Sequence, residues 1–300
     1  MYIGKVLLDF ETYNPQNDIY SDGDIENEIL DIVKENKEEV VLEKDNRWPI
    51  LYHLSDIRKN ILRWYPFKEN ASVLEIGCGC GAITGLFCKK NMNVTCVESS
   101  KRRATITAYR NLNYEKLKIN VGNFMNLKIE QKFDYVTLIG VLEYALMFTK
   151  KENAYEALIE KCKTYLNDTG VLIIAIENRL GIKYWAGAAE DHTGKLFEGL
   201  EGYIDNNRVK TFSKNELKKL VNKCGFNNIE WYYPYPDYKM PMQVFSDDFL
   251  PTGEFLYPDI YSLDKDRITL FDEKKVIQNI ADSGDFVQFS NSFLLFCRRD

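Results

Sequence analysis

The apolar positions of this chain change rhythm near residue 72. Before it they recur at helical spacing. Ile25, Ile29, Ile32 and Val33 fall at i, i+4, i+7 and i+8, one face of a helix that Asp22 or Asp24 could cap. A second stripe, Ile50, Leu54, Ile57 and Ile61, follows Pro49, a residue suited to a first helical turn, and Pro66 ends it. Val6, Leu7 and Phe10 allow a short strand or an extended arm ahead of both.

From residue 72 onward, short apolar runs alternate with amphipathic stretches, the pattern of a parallel sheet wrapped by helices. The predicted strands are Val73–Ile76, Val94–Val97, Lys118–Val121, Tyr135–Ile139, Val171–Ile176, Ile229–Tyr233 and Phe293–Cys297. Helices are predicted over 82–90, 101–112, 152–166 and 213–224. Ser213 and Glu216 have capping-box spacing at the start of the last helix, and Gly225 closes it. Two connections, 177–210 and 234–290, are longer than such folds require. Both follow the C-terminal end of a strand, where open α/β sheets bind ligands, so they read as acceptor-site insertions. The expected organisation is a helical preface over 1–69 and one α/β domain over 70–300 that carries both insertions.

Composition narrows the class. At 45% hydrophobic and 13% aromatic, the chain of 300 residues is too apolar to be disordered. No apolar run approaches the ~18 residues that span a bilayer, and the N-terminus lacks a basic segment followed by a long apolar one. A net charge of −6 counts against a nucleic-acid partner, which usually needs a basic footprint. Seven cysteines, an odd count without an export signal, fit reduced thiols and a cytoplasmic location. Only Cys78 and Cys80 lie close together, with no second pair, so no zinc site is expected there.

The chemistry centres on "LEIGCGCGAIT", residues 74 to 84. A strand that ends in Glu75, followed by Gly77, Gly79, Gly81 and a helix, is a nucleotide cradle. Glycines admit the ligand to the backbone, and the helix start offers free N–H groups. Glu98 ends the next strand twenty-one residues after Gly77, where an acid meets a ribose diol. A nicotinamide dinucleotide and S-adenosylmethionine both fit. Glu75 favours the second, because a carboxylate is costly beside pyrophosphate and favourable beside an α-ammonium group.

"VLEIGCGCGAIT", "VTCVESS", "VGNF", "FDYVTLIGVLEY" and "TFSKNELKKLVNKCGF" resemble the successive motifs of class I S-adenosylmethionine-dependent methyltransferases, over roughly residues 70 to 233. The resemblance implies a Rossmann-like sheet of seven mostly parallel strands with the last antiparallel. It assigns Glu75, Gly77, Gly79 and Gly81 to the methionine part of the cofactor, and Glu98 with Ser99 to the ribose. Asn123 and Phe124 would border the adenine, Asn123 through its amide oxygen, since family members often have Asp there. Gly140 and Val141 would line the cofactor near its sulfonium, and Tyr52 and Arg58 would close over it, Arg58 on its carboxylate. "YHLSDIRKNILRWYPF" and "AIENRLGIKYWAGAAEDHTGKLFEGLEGY" further resemble methyltransferases of bacterial cell-surface polysaccharide and flagellar glycan assembly. That resemblance implies a sugar or small amino-acid-like acceptor, methylated on O or N, with a glycosyltransferase as a conceivable partner.

A hydroxyl or ammonium acceptor must lose a proton, and imidazole suits that task. His53 lies in the preface and His192 in the first insertion, so His192 is the candidate base, with Tyr184, Glu190 and Asp191 beside it. Glu177-Asn178 is similar to the acid–amide pair with which some O-methyltransferases hold magnesium. The carboxylate those enzymes need after the fourth strand is replaced by Ile139-Gly140, leaving Glu143 nearby, so no metal is expected. The aromatics of "WYYPYPDY" could stack on a sugar or simply pack at a strand end. A nicotinamide oxidoreductase and a non-catalytic member of the fold remain the rival readings.

Overall fold

The computed structural model describes the chain except residues 19–20, 150, 205–207, 258–266 and 300, so parts of both long connections lie outside the described residues. Two compact units form, Met1–Leu138 with Thr164–Gly170, and Ile139–Lys163 with Val171–Asp300.

In the first unit the strands are β1 (Tyr2–Ile3), β2 (Val6–Asp9), β3 (Ser72–Ile76), β4 (Asn93–Glu98), β5 (Leu117–Val121) and β6 (Phe133–Ile139), the last running to its boundary. Their order is β1-β2-β5-β4-β3-β6, parallel from β2 to β6, with β1 antiparallel at the edge. Val73, Leu74, Val94, Cys96, Ile119, Val121, Val136 and Leu138 are all buried, which is why these runs are apolar at consecutive positions rather than alternating. The preface is therefore not purely helical: Val6 and Leu8 are buried and β2 extends the sheet beside β5.

The first helical stripe forms as expected over Ile25–Lys34, and Ile29, Ile32 and Val33 pack with Ile50, Leu54, Cys80 and Ile106. The second does not run through. The helix Trp48–Leu54 stops at Ser55, whose backbone is extended (ψ 138°) and whose hydroxyl accepts from Ile57 N to start a separate 3-10 turn. Ile57 is consequently exposed, whereas Ile61 is buried.

In the second unit β7 (Leu166–Glu177, from residue 171), β8 (Asn228–Tyr235), β9 (Gln243–Ser246) and β10 (Ser292–Arg298) lie in the order β7-β10-β8-β9. β10 is antiparallel to both neighbours, with Leu295 opposite Ile174 and Trp231. All seven predicted strands form, and β1, β2 and β9 are additional. The helix predicted over 152–166 spans Ala154–Thr164, because β7 begins at Leu166. The Ser213–Glu216 capping box is present. Trp231, Tyr233 and Tyr235 are buried, with rings against Phe293 and Phe286, so this stretch is packing and no sugar platform. All seven cysteines are free of disulfides. Among the described residues no helix is long and apolar enough to cross a membrane.

Candidate active site

The glycine turn lies in the first unit, between β3 and the helix Thr84–Lys89. Gly79 has φ +54° and an added Cβ would meet nothing within 4 Å, so it faces open space. Gly81 serves another purpose. Its missing side chain lets the turn seat against the helix Lys101–Arg110, where a Cβ would come within 3.0 Å of Thr107 Oγ1. Gly77 N donates to Val97 O at 2.8 Å, tying the turn to β4.

Glu98 ends β4 beside this turn. Its Oε2 accepts from Gly79 N at 2.8 Å, and its Oε1 accepts from Ser100 N at 2.9 Å and from Ser99 Oγ at 3.4 Å. Burial raises its pKa against the pull of Arg103 and these N–H groups. Glu75 is buried beneath the turn, accepting from Thr84 Oγ1 at 2.6 Å and from Cys96 Sγ at 3.4 Å, and burial lifts its pKa to about 7.

Arg58 is no surface charge. It is buried, its guanidinium 3.8 Å from the Tyr52 ring centroid, and its Nε has no hydrogen-bond partner. A buried cationic donor without an acceptor is costly, and the carboxylate of an amino-acid ligand would satisfy it. The residues present therefore fit S-adenosylmethionine: a buried guanidinium whose Nη1 reaches Tyr52 O at 3.5 Å but whose Nε has no acceptor, an open glycine, and acids at two strand ends. Asn123 Oδ1 accepts from Met125 N at 2.9 Å, capping a short turn, and its second lone pair could still take an adenine amino group. The Phe124 ring is buried, 5.8 Å from that of Tyr165.

The predicted base lies in the second unit, as do Gly140 and Val141. Gly140 has φ +67°, its N–H donates to Ala175 O, and a Cβ there would come within 2.7 Å of the Tyr238 hydroxyl. Val141 is buried. His192 is half-buried, its side chain only 6% exposed, among carboxylates that sequence spacing did not bring together. Its Nδ1 is 2.9 Å from Glu190 Oε1, and its Nε2 is 3.6 Å from Glu143 Oε1 and 3.9 Å from Glu177 Oε1. Burial alone would lower the imidazole pKa, but Glu177, Glu143 and Glu190 outweigh it and hold it well above its ordinary value. His192 is thus not the loop imidazole of ordinary pKa that the sequence suggests.

The other candidates are committed elsewhere. Glu190 accepts from His192 N, Thr193 N and Tyr203 OH, which makes it a support. The Tyr184 hydroxyl donates to Asp191 at 2.5 Å, and burial together with that carboxylate keeps the phenol protonated. Asn178 donates to Gln288 O and Ser290 O and accepts from Leu180 N, so the acid–amide pair does not present its amide to a ligand. Lys183 bridges Asp191 and Asp237, while Lys239 bridges Glu177 and Asp191. Neither lysine was singled out in the sequence.

Residues 51–230, more than half of the chain, match a family model described as a methyltransferase domain. The chain belongs to that family, with a Rossmann-like α/β fold. It is an S-adenosylmethionine-dependent methyltransferase. A "Ubiquinone biosynthesis O-methyltransferase" of Rickettsia bellii is 26% identical over 222 residues, covering 71% of this chain and 88% of that protein. Its counterpart in Rickettsia canadensis is 26% identical over 191 residues, covering 61% and 75%. Among solved structures, the CcbJ methyltransferase from Streptomyces caelestis aligns with a TM-score of 0.49 at 16% identity, over 81% of this chain and 89% of that one.

Proposed function

We propose that this methyltransferase acts on a hydroxyl group of a small molecule and that the Glu143–Glu177–His192 cluster takes up the hydroxyl proton. One observation carries this reading: Glu143 Oε2 and Glu177 Oε2 are buried oxygens without a hydrogen-bond partner beside an imidazole whose side chain is only 6% exposed. Carboxylate oxygens so placed are acceptors awaiting a donor, and a hydroxyl supplies one. The relatives described as O-methyltransferases support the choice of oxygen.

On this reading Arg58 pairs with the carboxylate of the cofactor, Glu75 faces its ammonium and Glu98 its ribose, with Gly79 leaving the space. The resemblance adds Tyr52, Gly77, Gly81, Ser99, Asn123, Phe124, Gly140 and Val141 as neighbours. S-adenosylmethionine supplies an electrophilic methyl group. The protein's part is to align the acceptor, exclude water and accept the proton. A surface-glycan acceptor rests on motif resemblance alone, now that the aromatic stretch is packed inside.

The test is incubation with S-adenosylmethionine and matched panels of phenolic, sugar and amine acceptors, read by mass spectrometry. The mass gain of one methyl group on hydroxyl compounds is expected. Gain on amines alone overturns the choice of oxygen.

A further inference from the structure

We propose that Glu143, Glu177 and His192 form a binding site for one divalent transition-metal ion. The inference deepens the preceding reading, because the ion would sit where the acceptor hydroxyl is deprotonated. Its binding is measurable without turnover.

The geometry argues first. The Nε2 distances of 3.6 and 3.9 Å to Glu143 and Glu177 are too long for hydrogen bonds. They suit two ligand atoms sharing one cation, since bonds of about 2.0–2.2 Å place neighbouring ligand atoms roughly 3–4 Å apart. One ligand atom from each of the three residues lies within 4.8 Å of the others.

The imidazole is also oriented for the task. Nδ1 faces Glu190 Oε1 at 2.9 Å, and Glu190 is itself fixed by two backbone N–H groups and the Tyr203 hydroxyl. With the Nδ1 proton directed there, displacement of the Nε2 proton by an incoming ion would turn the Nε2 lone pair toward Glu143 and Glu177. Such a carboxylate–histidine–metal relay is the usual support of a metal-bound imidazole.

Both glutamates are almost completely buried, and Oε2 of each has no hydrogen-bond partner. Lys239 Nζ and the Tyr238 hydroxyl donate to Glu177 Oε1 at 2.8 and 3.3 Å, so Glu177 would hold an ion through Oε2, which has no partner. The formal charges agree. Five carboxylates (Glu143, Glu177, Glu190, Asp191, Asp237) stand against two ammonium groups (Lys183, Lys239), an excess of three negative charges when the imidazole is neutral. A dication reduces that excess to one, and unpaired buried charge is strongly unfavourable. One imidazole and two carboxylates favour zinc, manganese, iron(II) or cobalt(II) over magnesium, and three protein ligands leave positions for water or an acceptor oxygen. An ion there would bind the hydroxyl oxygen and ease loss of its proton.

The experiment titrates the full chain, stripped by chelator, with Co²⁺ and follows the visible d–d absorption. One equivalent should bind, Zn²⁺ should displace it, and Mg²⁺ should not. His192→Ala and Glu177→Gln should abolish the band. Glu190→Gln, which leaves all three ligands in place, should weaken binding by roughly 10–100-fold, the usual effect of losing a supporting partner. If stripped protein that still binds S-adenosylmethionine takes up no ion, or if His192→Ala and Glu177→Gln bind Co²⁺ unchanged, the site is overturned. Hydroxyl methylation by metal-free protein would then leave the proposed function standing. Tight ion binding with amine-only methylation would sink that function and leave the site.

Discussion

Glu75 shows how one buried side chain can couple acidity to both stability and binding. Its carboxyl holds a proton up to about pH 7 in the folded protein, against an ordinary value of 4.5. Between those values the folded state binds more protons than the unfolded one, so stability falls as pH rises through the window. The full window corresponds to roughly 3 kcal/mol. Urea unfolding at pH 5 and pH 8 should therefore show wild type losing about 2–3 kcal/mol more than Glu75→Gln, whose amide does not titrate. Equal losses would mean that Glu75 is ionised throughout. If its carboxylate faces the cofactor's ammonium, binding below pH 7 should also release a proton, which calorimetry in buffers of different ionisation enthalpy detects. Glu98 offers a simpler test. Glu98→Ala should weaken S-adenosylmethionine binding by about 1.5–3 kcal/mol, the scale of hydrogen bonds to a charged group. Unchanged affinity in a folded variant would remove it from the ribose site. These two acids were legible in the sequence because their meaning lies in local spacing from the glycines. Glu143, Glu177 and His192 were each singled out there too, but their meeting was not legible, since they stand far apart in the chain and come together only through tertiary folding. The "GVLEY" and "AIEN" strand ends were the available signal.

Among elements, the preface meets the sheet unit through buried charge as well as through its apolar stripe. Glu26, fully buried on the helix Ile25–Lys34, accepts from Arg103 Nε at 2.7 Å, and Arg103 Nη2 also reaches Asp22 at 2.8 Å. Asp22 in turn meets His53 Nε2 at 2.7 Å. Arg110 donates to the carbonyls of His53 and Cys80 at 2.8 Å, joining the preface to the glycine turn. Removing one partner of a buried pair strands the other, so Glu26→Ala should cost about 3–5 kcal/mol of unfolding free energy. Chemical denaturation checks this, and a loss under about 1 kcal/mol would show that Asp22 alone suffices for Arg103. The central strands were legible because parallel strands buried on both faces are written as continuous apolar runs. The edge was not: Val6, Leu7 and Leu8 are too few to distinguish a strand from an arm, and only the neighbouring β5 decides. The break at Ser55 was hidden for a related reason, because the stripe through Ile57 fits helical periodicity while the serine's capping competes with it.

At the scale of the whole molecule, the two long insertions share one buried network. Lys183 and Asp191 come from the first, Asp237 and Lys239 from the second, and each lysine reaches an acid of the opposite insertion. A chimera that receives only the first insertion from another methyltransferase would bring a loop whose charges were matched to a different partner. Asp237 and Lys239 would then face uncompensated positions inside the protein. In electrostatic terms the two segments form a single charge-matched unit. A change at 183 would call for a matching one at 237, and a change at 191 for one at 239, so a library that randomises one loop at a time would yield mostly variants with unmatched buried charge.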